Sequence, residues 1–161
     1  MNYSSLQRAL IFTVVLPLLL LLVSSCGSTK LSTTSETARE YYRQGHSLEK
    51  HMNWGKAADA YKHAVREDRF FFEAYAGLAR IYEEQGNFRR AAENYSKALA
   101  IQKNRTDFYL PYGKMLFNLE RYAEAYDVLQ KYHLAFPDDP DGVEWLAEAA
   151  WAMHDPSAEE Y

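Results

Sequence analysis

Six residues of this chain come back after a step of 34. Tyr41, Gly45, Leu48, Ala57, Tyr61 and Ala64 return as Tyr75, Ala79, Tyr82, Ala91, Tyr95 and Ala98. Four of them return again as Tyr109, Gly113, Leu116 and Ala125, while the last two places change to Leu129 and Tyr132. A fixed period of this length restricts the fold to units stacked in a row, because no single unit can bury its apolar face alone. Within the first period, Ala38, Tyr41, Tyr42, Gly45 and Leu48 recur at steps of three and four, and Trp54, Ala57, Ala58, Tyr61, Ala64 and Val65 do the same. That spacing predicts two amphipathic helices, joined by the short connection His51-Met52-Asn53. The second unit turns at Gln85-Gly86-Asn87, where a glycine suits the left-handed end of a helix. The third turns at Leu119-Glu120-Arg121 and stops at Pro137.

These residues resemble the tetratricopeptide repeat: a bulky residue, a small one and an aromatic or leucine in the first helix, then alanine, aromatic, alanine in the second. The resemblance implies an all-α fold, a right-handed α-solenoid of three helical hairpins over 36–137 with repeats at about 38–71, 72–105 and 106–139. Small residues such as Ala79 and Ala91 are expected where the helices of one hairpin cross, since larger ones would overpack the contact by about 1–3 kcal/mol. Trp54, Phe88 and Tyr122 open each second helix and read as a ladder of fillers. The third unit departs from the pattern: Tyr132 replaces a small residue, and Pro111 predicts a late or bent start to its first helix. Phe70, Phe71 and Phe72 form either inter-repeat packing or an exposed apolar edge. Residues 141–154 make a further helix with Val143, Leu146, Ala147, Ala150 and Trp151 on one face and Asp141 as its N-cap. It is either a capping helix or the opening of a fourth repeat. Residues 155–161 are expected to fray.

The N-terminal segment is of another kind. Ala9 to Val23 is an apolar run too short for a membrane span of about 20 residues but suited to the core of an export signal. It ends in Val23-Ser24-Ser25-Cys26, which resembles the bacterial lipobox. That resemblance implies removal of residues 1–25, lipidation of Cys26 and insertion of its acyl chains into a lipid bilayer. Acyl anchoring contributes about 0.8 kcal/mol per buried CH₂, and stable attachment needs more than one chain. Gly27 rather than Asp after the cysteine implies the outer membrane, and the lack of an acidic cluster there implies the periplasmic face. Residues 26–35 comprise the lipidated cysteine and a small, polar stretch, Gly27 to Ser35, that reads as a flexible tether; its nine residues, extended, span about 30 Å.

Nothing in the sequence forms a catalytic centre. The one cysteine excludes an intramolecular disulfide or thiolate metal site, and the five histidines lack metal-ligand spacing. There is no phosphate loop or nucleophile elbow. No cofactor, metal, enzymatic activity or small-molecule substrate is expected. The net charge of −4 is spread over both signs with no basic block, which excludes nucleic acid as a partner.

What remains is a binding surface. In tetratricopeptide proteins the first helices line a groove that holds a peptide or helix. Carried over by phase, the groove residues are Tyr42, His46, Lys50, Ala76, Arg80, Glu83, Leu110, Lys114 and Phe117. His46, Arg80 and Lys114 stand one repeat apart and form either a basic row for an acidic or carboxylate-terminated segment or ordinary solvated charge. The family's chaperone-tail clamp needs Lys and Asn pairs on this face. Tyr42 with His46 and Ala76 with Arg80 do not supply them. The expected function is a membrane-anchored interaction scaffold or assembly factor for a cell-envelope complex, similar in build to pilotins. The alternative is an accessory subunit of an envelope enzyme acting on the cell wall.

Overall fold

The computed structural model describes residues 35–154. The lipobox at Val23–Cys26, the tether to residue 34 and the tail at 155–161 lie outside the described residues. Seven α-helices and one 3₁₀ turn follow one another, with no strand among the described residues. The first repeat is α1 (Glu36–Lys50) and α2 (Trp54–Glu67), and the second is α3 (Phe72–Glu84) and α4 (Phe88–Ile101). The third is α5 (Tyr109–Asn118) and α6 (Tyr122–Ala135), followed by α7 (Pro140–His154). None of these helices is long and apolar enough to cross a membrane.

Each hairpin turns on one device. Met52, Gly86 and Glu120, one repeat apart, have φ of 57°, 68° and 60°. In the first turn the Met52 amide donates to the Glu49 carbonyl and the Asn53 amide to the Leu48 carbonyl, both at 2.9 Å. The pattern repeats from Gly86 and Asn87 to Glu83 and Tyr82, and from Glu120 and Arg121 to Phe117 and Leu116. These crossed bonds satisfy the last free carbonyls of the first helix in a Schellman motif, which requires a left-handed residue. Only the second repeat spends a glycine there. Asn87 then caps α4, its side-chain oxygen accepting from the Arg90 amide at 3.2 Å.

Packing follows the small residues. Ala57, Ala79, Ala91 and Ala125 are fully buried where the helices cross. Tyr61, also fully buried, lies between two glycines. A methyl group on Gly45 would stand 2.8 Å from one side of its ring, and one on Gly77 of the next repeat 2.6 Å from the other. Each core cluster joins the second helix of one repeat to the first helix of the next, as with Ala58, Tyr61 and Ala64 against Phe71, Ala74, Leu78 and Ile81. The stack therefore has a continuous core, the source of stability in a repeat protein. Trp54 and Phe88 pack as half-buried residues against these clusters, and Tyr122 meets Phe117 edge-on with ring centroids 5.2 Å apart.

The irregular places resolve individually. Of the three phenylalanines, Phe71 is buried, Phe72 half-buried and Phe70 is 60% exposed, so the run is packing at one end and edge at the other. The third repeat begins late: Thr106–Phe108 form a 3₁₀ turn and α5 starts at Tyr109. Pro111 then sits in its first turn, where the missing N–H has no helical partner to lose. Tyr132 is accommodated by Gly142, where a methyl group would stand 2.7 Å from its ring.

The C-terminal helix differs from expectation in two respects. It begins at Pro140, and its cap is Asp139, whose carboxylate accepts from the Gly142 amide at 2.9 Å; Asp141 is inside the first turn. Its buried face is also different. Gly142, Ala149 and Ala152 are buried and Trp145 and Leu146 half-buried, whereas Val143 is 45% and Trp151 69% exposed and Ala147 is exposed. The expected apolar face keeps the repeat phase, and no second helix covers it among the described residues.

Candidate functional site

The first helices form one face. α1 lies against α3 and α5 against α7, and specific side chains stitch these neighbours together across repeats. The strongest stitch centres on Glu49. Its carboxylate accepts from Arg80 Nε at 2.8 Å and from Arg80 Nη2 at 3.1 Å, a bidentate geometry, and also from the Tyr61 hydroxyl. Burial alone would raise the Glu49 pKa, but the bonds from Arg80 and Tyr61 outweigh it and hold the carboxyl below its ordinary value. Burial opposes the Arg80 charge, yet Glu49 holds that guanidinium more firmly protonated than usual. Burial, then Glu49, pushes the Tyr61 phenol up.

The same pair recurs one repeat later, where the Tyr95 hydroxyl donates to Glu83 at 3.0 Å. In the third repeat both partners change together, to Leu129 and Phe117, and the polar bond is replaced by apolar packing around Leu129, Phe117 and Trp145. Sequence reading from helical phase missed this network. Its signal was present in the matched spacings Glu49–Tyr61 and Glu83–Tyr95 and in their joint replacement.

The expected groove residues differ in exposure and in partners. Tyr42 is half-buried, stacked against His46 with centroids 6.1 Å apart and packed on Phe71 at 5.1 Å; burial raises its pKa. His46 and Lys50 are exposed, and His46 Nδ1 stands 3.8 Å from Glu49. Arg80 and Glu83 carry the internal bonds just described. Leu110 and Phe117 are half-buried on the third repeat, Phe117 edge-on to Trp145 at 5.4 Å. Lys114 lies 3.7 Å from Asp141 and 5.3 Å over the Trp145 ring. Ala76, 1% exposed, is buried beneath this face and offers nothing to a ligand.

Each basic side chain of the row thus has a carboxylate beside it: His46 and Arg80 share Glu49, and Lys114 has Asp141. Arg80 is the most committed, since Glu49 is only 15% exposed in its side chain. Lys114 and Lys50 are the cations that an incoming acid could engage at least cost. Among the described residues no three His, Cys, Asp or Glu are grouped to hold a metal ion. Two open recesses are lined by other residues, one by Arg89, Glu93, Tyr112 and Arg121 and one by Tyr41, Lys56 and His63.

Two tetratricopeptide-repeat family models match, over residues 42–105 and 83–149. No curated protein matches in sequence. Among solved structures, the first TPR of Spaghetti (RPAP3) bound to HSP90 peptide SRMEEVD is similar with a TM-score of 0.67 and 20% identity, over 76% of this chain and 100% of that one. MamA 41-end from Desulfovibrio magneticus RS-1 gives 0.71 and 18%, over 78% and 71% of the two chains. YrrB, described as a TPR protein with an unusual peptide-binding site, gives 0.68 and 20%, over 71% and 59%. The described chain is an array of tetratricopeptide repeats with the all-α solenoid fold of that family.

Proposed function

We propose that this protein is a lipid-anchored scaffold that holds a segment of another cell-envelope protein on the face of α1, α3 and α5. The observation that carries the reading is the row of His46, Arg80 and Lys114, one repeat apart on that face, with Tyr42, Leu110 and Phe117 half-buried among them. Half-buried aromatic and aliphatic side chains supply area, and the flanking cations supply orientation for an acidic segment. Peptide binding by the Spaghetti repeat, and the peptide-binding site described for YrrB, are properties of those proteins that make a peptide the natural ligand class here.

The anchor rests on Val23-Ser24-Ser25-Cys26 and the apolar run before it. Gly27 favours the outer membrane, facing the periplasm. A tether of this kind raises the effective concentration of the groove near membrane-bound partners. Assembly or positioning of an envelope complex is the role such an anchored binding array would serve. The decisive experiment on the anchor is Cys26→Ser followed by membrane fractionation. The variant is expected in the soluble fraction, and retention on membranes would contradict lipidation. Recovery of a secretion or pilus component by cross-linking supports the assembly role, and recovery of a cell-wall hydrolase replaces it with an accessory role.

A further inference from the structure

We infer that the recess between α4 and the turn from α5 to α6 is a second binding site, separate from the groove, for a short peptide with a free amino end and a free carboxyl end. The recess is open, with a volume of about 420 Å³, which falls within the range of small-ligand sites. It is lined by Arg89, Glu93 and Ser96 of α4, Tyr112 of α5, and Leu119 and Arg121 of the turn. The Arg121 amide bonds the Leu116 carbonyl at 3.0 Å, which fixes the turn that carries the last two.

The repeat shows what is particular to this place. At the junction of the first two repeats, 34 residues earlier, Ala58 and Asp59 stand where Ala92 and Glu93 stand here, so the floor and the acid recur. The surroundings of the acid do not. Gly55, Lys62, Leu78 and Asn87 become Arg89, Ser96, Tyr112 and Arg121. In the earlier junction the acid is satisfied, because Lys62 reaches Asp59 at 3.0 Å. In this one serine takes the place of that lysine, and among the described residues no basic side chain comes within 4.0 Å of Glu93 and no carboxylate within that distance of Arg89. Leu78 is a core residue, 4% exposed, whereas Tyr112 is half-buried, packing on the core clusters at either side and lining the recess as well. Arg121 gives Nε and Nη2 to Glu124 at 2.7 and 2.6 Å, which leaves Nη1 for a ligand.

Charge and spacing select the occupant. Glu124 balances Arg121, so the recess presents one unpaired cation and one unpaired anion among the described residues. Arg89 and Glu93 are four residues apart on α4, with Cβ atoms about 5–6 Å from each other, and arginine preceding glutamate is the weaker order for a helical pair. A purely acidic or purely basic ligand satisfies only one of them. Two extended residues span about 7 Å, so a dipeptide can set its carboxylate against Arg89, in the bidentate manner arginine favours, and its ammonium against Glu93. Ala92 and Leu119 offer apolar surface to its side chains.

The probe is alanyl-leucine, titrated against the isotope-labelled whole chain and followed by amide NMR shifts. Shifts that saturate at millimolar peptide are expected at Ser96, Tyr112 and Leu119 and not at Lys50 or Leu110. Capping the ends separates the two contacts. Arg89→Gln should weaken the free dipeptide at least about tenfold, a factor of ten being 1.4 kcal/mol, and leave the C-terminally amidated dipeptide unaffected. Glu93→Gln should likewise weaken the free dipeptide and leave the N-acetylated one unaffected. Both residues are exposed, so circular dichroism should show the variants as helical as the parent. No saturable shift at the recess, or losses that ignore which end is capped, overturns the site. Saturable shifts at Lys50 and Leu110 in place of the recess overturn it in favour of the groove.

Discussion

The Tyr61 hydroxyl donates to the Glu49 carboxylate, and that carboxylate is simultaneously gripped by Arg80 of the next repeat. One acid therefore closes its own hairpin and ties it to the following one.

Replacing Glu49 should loosen both contacts. Glu49→Ala leaves a buried phenol without its acceptor and Arg80 without its counter-charge, at a cost of about 1–3 kcal/mol; the partial exposure of Arg80 keeps it below the range for a fully buried pair. Urea unfolding of the variant beside the parent protein measures it, and an unchanged midpoint would contradict the role. The sign with pH follows from the depressed carboxyl. Its contribution is present above the ordinary value of 4.5 and is lost as pH falls through the lower folded value. Glu49→Ala should therefore flatten the acid limb of the stability profile.

Glycine positions give a matched pair. Gly77→Ala places a methyl group 2.6 Å from the buried Tyr61 ring, and the overpacking, about 1–3 kcal/mol, exceeds the helix-propensity gain of about 1 kcal/mol. Gly55→Ala, in α2 with nothing within 4 Å, should stabilise by up to about 1 kcal/mol. Thermal melts should shift in opposite directions; shifts of the same sign would contradict the close approach.

At the hairpin turns, Met52 and Glu120 hold the left-handed conformation that Gly86 adopts freely. Met52 is 74% exposed, so Met52→Gly removes little packing. It should raise stability by a few tenths to about 1 kcal/mol, as should Glu120→Gly. A lower melting temperature for both would mean that the side chains contribute more than the conformation costs.

Periodicity made most of the fold legible. The helices, the turns, the buried alanines and the late start at Pro111 all follow from local chemistry that recurs in each repeat. It failed at α7 because phase identifies which face of a helix is apolar, but burial depends on whether another helix arrives to cover it. Trp151 is at the expected register and exposed nevertheless. Among the expected groove residues, Tyr42 stacks on His46 and both His46 and Arg80 approach Glu49, Lys114 stands by Asp141 and Trp145, and Ala76 is buried. Register alone also could not show that Arg80 is committed to Glu49, a bond between side chains 31 residues apart.

Whether the face of α1, α3 and α5 holds another envelope protein can be read by photo-cross-linking in the cells that make this protein. A photoreactive residue at Lys50 or Leu110 reports on the groove, and one at Lys56 or Glu93 on the second helices. Discrete adducts with an envelope protein are expected from Lys50 and Leu110, lost when Lys114→Glu is introduced, and none from Lys56 or Glu93. Adducts confined to Lys56 and Glu93, or groove adducts indifferent to Lys114→Glu, would contradict it.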